Sequence, residues 1–280
     1  LLKKGALIMK NLMKLSETAN YAVIVILTGI FIITAGSLNA KIVTQTVEYK
    51  QGRTVLEGYL AYDDELKGKR PGVIIVHQWM GLKDYEKMRA EEIAKLGYTA
   101  FAIDIYGKGV RASNREEASK LATTYRSDRK LMRERAKAGF DAFRKMKNID
   151  SSQIAAMGYC FGGGVVLELA RSGADVAGVI SFHGSYNTPN PDDAKKIKGR
   201  VLAIHGADDP AIPLKELESL QNEMRNAKVD HKIIIYGGAV HSFTDKGAGN
   251  DPSKGSAYNQ KADEGSWEDM KRFYKEIFKR

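Results

Sequence analysis

The chain's single cysteine, Cys160, stands in Met157-Gly158-Tyr159-Cys160-Phe161-Gly162-Gly163-Gly164. Free cysteine is usually a small buried hydrophobe, but that role requires none of the four glycines around it. A nucleophile at a sharp strand-to-helix turn does require them. Its backbone is strained, and its neighbours must lack Cβ atoms so that strand and helix can approach each other. A thiol there sits at a helix N-terminus, whose N–H groups and dipole stabilise a thiolate and then the oxyanion formed when it attacks a carbonyl. A lone cysteine can form no intrachain disulfide and has no resolving partner for thiol redox chemistry.

A nucleophile needs a base, and the base an orienting acid. Of the five histidines, His77, His183 and His205 close apolar runs, where hydrogen-bonded structural roles are common, and His231 opens one and reads as exposed. His241 lies instead in the loop Gly237-Gly238-Ala239-Val240-His241-Ser242, and the preceding loop, HGADDPAIP, offers Asp208 and Asp209. Cysteine, aspartate and histidine thus follow in the order of a hydrolase built on a nucleophile elbow.

These residues must be held by regular elements. Lys41 to Asp63 alternates apolar and polar residues around Gln51-Gly52 and predicts a hairpin. From Pro71 onward β-branched runs (GVIIVH, YTAFAIDIY, QIAAMGY, VAGVISFHG, RVLAIHG, HKIIIYG) alternate with helical stretches, among them one long region from Asn114 to Lys147 and a terminal helix from Ser266 to Lys279. The alternation predicts an α/β fold, a mainly parallel twisted sheet with helices on both faces. Reactive groups of such sheets gather at the carboxyl ends of the strands, where Cys160, Asp209 and His241 all fall. Gly247 to Lys261 reads as the most loop-like stretch, a length often functional or mobile.

The 280 residues are 43% hydrophobic and 28% charged, which is enough for one sizeable core without a second domain. The net charge is +10, but lysines and acids alternate through most segments and no nucleic-acid motif is present, so the excess reads as a solvated basic surface with no nucleic-acid partner. Residues 1–40 read differently. Lys3, Lys4, Lys10 and Lys14 precede a charge-free run from Thr18 to Ala40, the pattern of an export signal with a cleavage site at Ala40 or near Ala35 and Ser37, or of an uncleaved anchor. A start at Met9 or Met13 fits the same pattern. The expectation is an exported protein, periplasmic or secreted, or held on the inner membrane only by this segment. Residues 41–280 would then form the working domain, and its net charge is +7 without the first forty residues.

Taken together, Gly158-Tyr159-Cys160-Phe161-Gly162-Gly163, Asp209 with Ala211-Ile212-Pro213, His241-Ser242-Phe243 and the stretch PGVIIVHQWMGL resemble the dienelactone hydrolase family of the α/β-hydrolase fold, over about residues 41 to 280. The resemblance implies that Cys160 is the nucleophile, His241 the base and Asp209 its partner, preferred to Asp208 because it keeps the family's spacing to Pro213. It implies that the backbone N–H groups of Trp79 and Phe161 receive the oxyanion. It implies a small-molecule ester or lactone substrate, and it calls on no metal or cofactor. Two positions depart from the family. Gln78 stands where the family has a glutamate that pairs with the resting thiol, and Gln cannot take a proton. Asp245, three residues after Ser242, stands where the family has an arginine for a substrate carboxylate; Arg126, Arg129 and Arg133 are the remaining candidates for that role. Dienelactone itself is therefore not implied. A broader carboxylesterase or thioesterase, and a hydrolase-fold binding protein with weakened chemistry, are the alternatives.

Overall fold

The structure is a computed structural model that describes residues 41–278. The expected signal or anchor segment, residues 1–40, lies outside them. Strands β1 (Ile42–Gln51) and β2 (Thr54–Asp63) form the predicted antiparallel hairpin, with Gln51 paired to Thr54 and Gly52 at a φ of +56° in the turn. β2 lies antiparallel to β4 (Thr99–Ile103). From there the sheet is parallel through β3 (Arg70–Val76), β5 (Ile149–Tyr159), β6 (Gly178–Phe182), β7 (Arg200–Gly206) and β8 (His231–Tyr236), in the spatial order β1-β2-β4-β3-β5-β6-β7-β8.

Because the central strands are covered on both sides, they read as unbroken apolar runs, and their period of two divides them between two cores. Ile74, Val76, Ile154 and Ala156 face one core with α2 (Arg115–Ser127), α3 (Arg129–Phe143), α4 (Phe161–Arg171) and α5 (Leu214–Asn226). Val73, Ile75, Ala155 and Met157 face the other with α1 (Asp84–Lys95) and α6 (Gln260–Ile277).

Three element boundaries differ from expectation. The long region after Asn114 is two helices. Asp128 ends α2 in a non-helical conformation (φ −114°, ψ 82°) and caps α3, its carboxylate accepting from the Leu131 N–H. The amphipathic pattern passes through this corner, so periodicity alone merged the two. The last helix starts at Gln260 rather than Ser266, because the Asn259 side chain caps it by accepting from the Ala262 N–H. The stretch 247–261 is less open than its composition implies. It carries two short 3₁₀ turns, Lys246–Ala248 and Pro252–Lys254, and Ser256 pairs with His241 in an isolated bridge.

Candidate active site

At the end of β5 the chain turns directly into α4, and Cys160 makes the turn at φ +52° and ψ −115°, a conformation costly for any residue with a Cβ. The glycines around it permit the close crossing. A Cβ on Gly158 would overlap the Gly162 carbonyl, a Cβ on Gly162 would overlap the Val76 carbonyl, and one on Gly163 would stand 2.6 Å from Ser181 Oγ. The Phe161 N–H, first in the helix, points at the Cys160 sulfur.

The His241 imidazole stands beside the Cys160 sulfur on one side. On the other, its Nδ1 lies 2.8 Å from Asp209 Oδ2. Asp209 is buried and fixed by its second oxygen, which accepts from the Ala211 N–H (2.8 Å) and the Ile212 N–H (3.3 Å), whereas Asp208 points to solvent. Of the two neighbouring acids, Asp209 is the one that meets the His241 imidazole. The His241 loop is held by the stretch that looked like a free loop: His241 N–H donates to the Gly255 carbonyl (3.2 Å) and Ala257 N–H to the His241 carbonyl (3.0 Å).

Burial alone would favour the neutral forms of both reacting groups. Burial raises the Cys160 thiol, but the His241 imidazole beside it, with Arg126 and the Phe161 N–H, outweighs burial, and the thiol pKa is lowered. Burial likewise lowers His241, but the Cys160 sulfur and the Asp209 carboxylate more than reverse it, and its pKa is raised to about 10. Each group thus favours the charged form of the other, a thiolate beside an imidazolium.

Trp79 follows β3 and lines the same cleft, a cavity of about 870 Å³ that also holds Cys160, His241 and Gln78. The Trp79 loop is pinned: the Tyr106 hydroxyl donates to the Trp79 carbonyl (3.0 Å), and the Gln78 N–H donates to the buried Glu86 carboxylate (3.0 Å). The Gln78 side chain makes no bond to sulfur. Its Nε2 donates to Asp245 Oδ2 at 2.8 Å, so the two positions that depart from the resemblance are bonded to each other. Of the three arginines, Arg126 lines the cleft, its guanidinium 5.9 Å from the centre of the Phe161 ring. Arg129 donates to Asn187 Oδ1 (2.6 Å), and Arg133 is engaged by Glu168 and Asp193 (2.7 Å each). Arg115, which sequence reasoning did not single out, lines the cleft eleven residues before Arg126 on the same helix.

The other histidines are structural neighbours. Buried His77 donates from Nδ1 to the Gln78 carbonyl and accepts the Ile105 N–H at Nε2 (3.2 Å), locking two strand ends. Buried His205 faces the Tyr186 hydroxyl at 3.4 Å. His231 is half-buried, not exposed, because its Nδ1 turns back to the Val229 carbonyl at 2.8 Å. His183, also buried, stands edge to face against His241 with ring centroids 5.1 Å apart. Among the described residues no cluster of His, Cys, Asp and Glu has the arrangement of a metal site.

The sequence model described as the dienelactone hydrolase family matches residues 56–278. The proposed carboxymethylenebutenolidase of Synechocystis sp. is 27% identical over 235 residues, covering 78% of this chain and 91% of that one. Its namesake in Saccharolobus solfataricus is 28% identical over 241 residues, covering 74% and 90%. Among solved structures, a dienelactone hydrolase-like promiscuous phosphotriesterase from metagenomic libraries superposes with a TM-score of 0.81 at 37% identity, over 85% of this chain and 99% of that one.

Proposed function

Because the chain belongs to the dienelactone hydrolase family and is a hydrolase of that type, we propose that it cleaves a small ester or lactone through Cys160, His241 and Asp209 by way of a thiol acyl-enzyme. The observation that carries this reading is the continuous line from the strained Cys160 turn through His241 to the buried Asp209, closed by the 2.8 Å Nδ1–Oδ2 contact.

The Cys160 thiolate attacks the substrate carbonyl, and the oxyanion is received by the N–H groups of Phe161 and Trp79. The tetrahedral intermediate collapses as the His241 imidazolium protonates the leaving alkoxide, which leaves an acyl thioester on Cys160. His241, again neutral, removes a proton from water, and the hydroxide releases the acid and restores the thiolate. Asp209 keeps the Nδ1 proton in place, so that Nε2 faces the sulfur throughout.

With an amide at 78 and an acid at 245, the wall of the cleft asks for no substrate carboxylate to trigger the thiol, so simple activated esters fall within this reading. Arg126 is the group best placed to receive a carboxylate when the substrate carries one. The exported or membrane-held location expected from residues 1–40 belongs to the same proposal.

A panel of activated esters and lactones tests it. Cys160→Ala should abolish turnover, His241→Ala should lower kcat by about 10²–10⁴-fold, and Asp209→Asn should cost less than His241→Ala. Full hydrolysis by Cys160→Ala would sink the reading. Damage from Asp208→Asn with a silent Asp209→Asn would reassign the acid.

A further inference from the structure

We propose that His183 is a positioning residue for this reaction, tying the nucleophile turn to the loop that carries His241; the inference rests on the hydrolytic reading above. His183 directly follows β6, is fully buried and holds φ +39°. With Cys160 and Ser242 it is one of three non-glycine residues at positive φ gathered around this one site, and such strain persists only where surrounding contacts enforce it.

The contacts that enforce it join the two halves of the site. The Cys160 N–H is shared between the Phe182 carbonyl (3.0 Å) and His183 Nδ1 (3.2 Å). Since that group can only donate, Nδ1 accepts and the ring proton sits on Nε2, which lies 2.9 Å from Thr244 Oγ1 and donates to it. Thr244 is three residues beyond His241 and is itself anchored: the Tyr85 hydroxyl donates to its Oγ1 (2.8 Å), and Arg89, paired with Asp263, donates to its carbonyl (2.8 Å). The His183 ring also stands edge to face against His241, with centroids 5.1 Å apart.

A neutral ring is the only form this arrangement accepts. A second proton on Nδ1 would oppose the Cys160 N–H and set a positive charge against the His241 imidazolium. The groups that face His183 hold it neutral: burial first, then His241, Arg89 and His205, keep its pKa well below the ordinary histidine value. The bond also engages the Cys160 amide beneath the nucleophile, which leaves the Phe161 and Trp79 amides for the oxyanion.

Three variants test the assignment by hydrolysis of an activated ester and by the pH profile of Cys160 alkylation with iodoacetamide. His183→Leu keeps apolar volume and loses both bonds. It should lower kcat about tenfold or more with KM within about twofold, the signature of lost positioning rather than lost binding. Its alkylation midpoint should move up toward that of an ordinary thiol. His183→Asn, which returns an acceptor to the Nδ1 position, should recover much of both losses. Thr244→Val, which frees the far end of the ring, should shift both in the same direction by less. A folded His183→Leu with wild-type kcat and alkylation profile would overturn the proposal. Should His183→Leu not fold, a wild-type kcat and alkylation profile in Thr244→Val overturns it equally. Alkylation needs no substrate, so it reports on His183 even where Cys160→Ala disproves the hydrolytic mechanism.

Discussion

The Gln78 amide donates a hydrogen bond to the Asp245 carboxylate across the wall of the cleft, joining positions 167 residues apart. Neither departure could be interpreted alone in the sequence. Gln78 read as a lost acid beside the thiol and Asp245 as a missing cation, because a linear pattern names residues without naming their partners. Their bond changes what Gln78→Glu should do. The new carboxylate would face Asp245 at hydrogen-bond distance, and two carboxylates there cannot both ionise freely. One acid pKa is then raised in the folded state, so the variant's stability falls as pH rises through that value. Thermal unfolding should show Gln78→Glu closest to wild type near pH 5 and clearly less stable at pH 8, with Gln78→Glu/Asp245→Asn restoring the loss. Equal melting temperatures for the single variant and the wild type at pH 8 would show that the pair does not form in solution.

Between residues and fold stand the elements that aim the site, and the turn from β5 into α4 was the most legible of them, because only glycine fits where backbones nearly touch. The Trp79 loop was legible in position but not in support. Its anchor, Glu86, is not marked in the sequence among the other acids of its helix, yet it is buried and accepts the Gln78 and Lys83 N–H groups at 3.0 Å each. Burial pushes its carboxyl up to about 7 from 4.5, against the pull of those N–H donors. An acid whose pKa is higher in the folded state binds protons preferentially there, so Glu86 adds stability as pH falls from about 7 toward 4.5. Replacing it with glutamine should flatten the dependence of melting temperature on pH across that window. An undiminished slope in Glu86→Gln would assign the effect to another group. The unread helix corner at Asp128 and the early start of α6 share one cause: each is a cap set by a single side chain, and a cap interrupts no apolar periodicity.

For the whole molecule, the parallel sheet and hairpin followed from alternation and period because burial on both faces leaves a strand no polar side. What the strands could not declare was their order across the sheet, which is set by crossovers rather than by composition. The proposed triad lies within the described residues 41–278, and the proposed export depends wholly on residues 1–40. Fractionation of cells producing the full chain should recover the hydrolase outside the cytoplasm or on the outward face of the membrane. Recovery only as soluble cytoplasmic protein of full length would refute export. The pairing of His241 with Gly255, Ser256 and Ala257 has a consequence for how the chain matures. The base and the strand-like stretch that holds it both follow Cys160 by about eighty residues or more. Until they arrive, the proposed base is missing and Cys160 keeps the lower nucleophilicity of an ordinary thiol. A nascent chain that has not yet reached His241 should therefore react with electrophiles more slowly than the closed fold does.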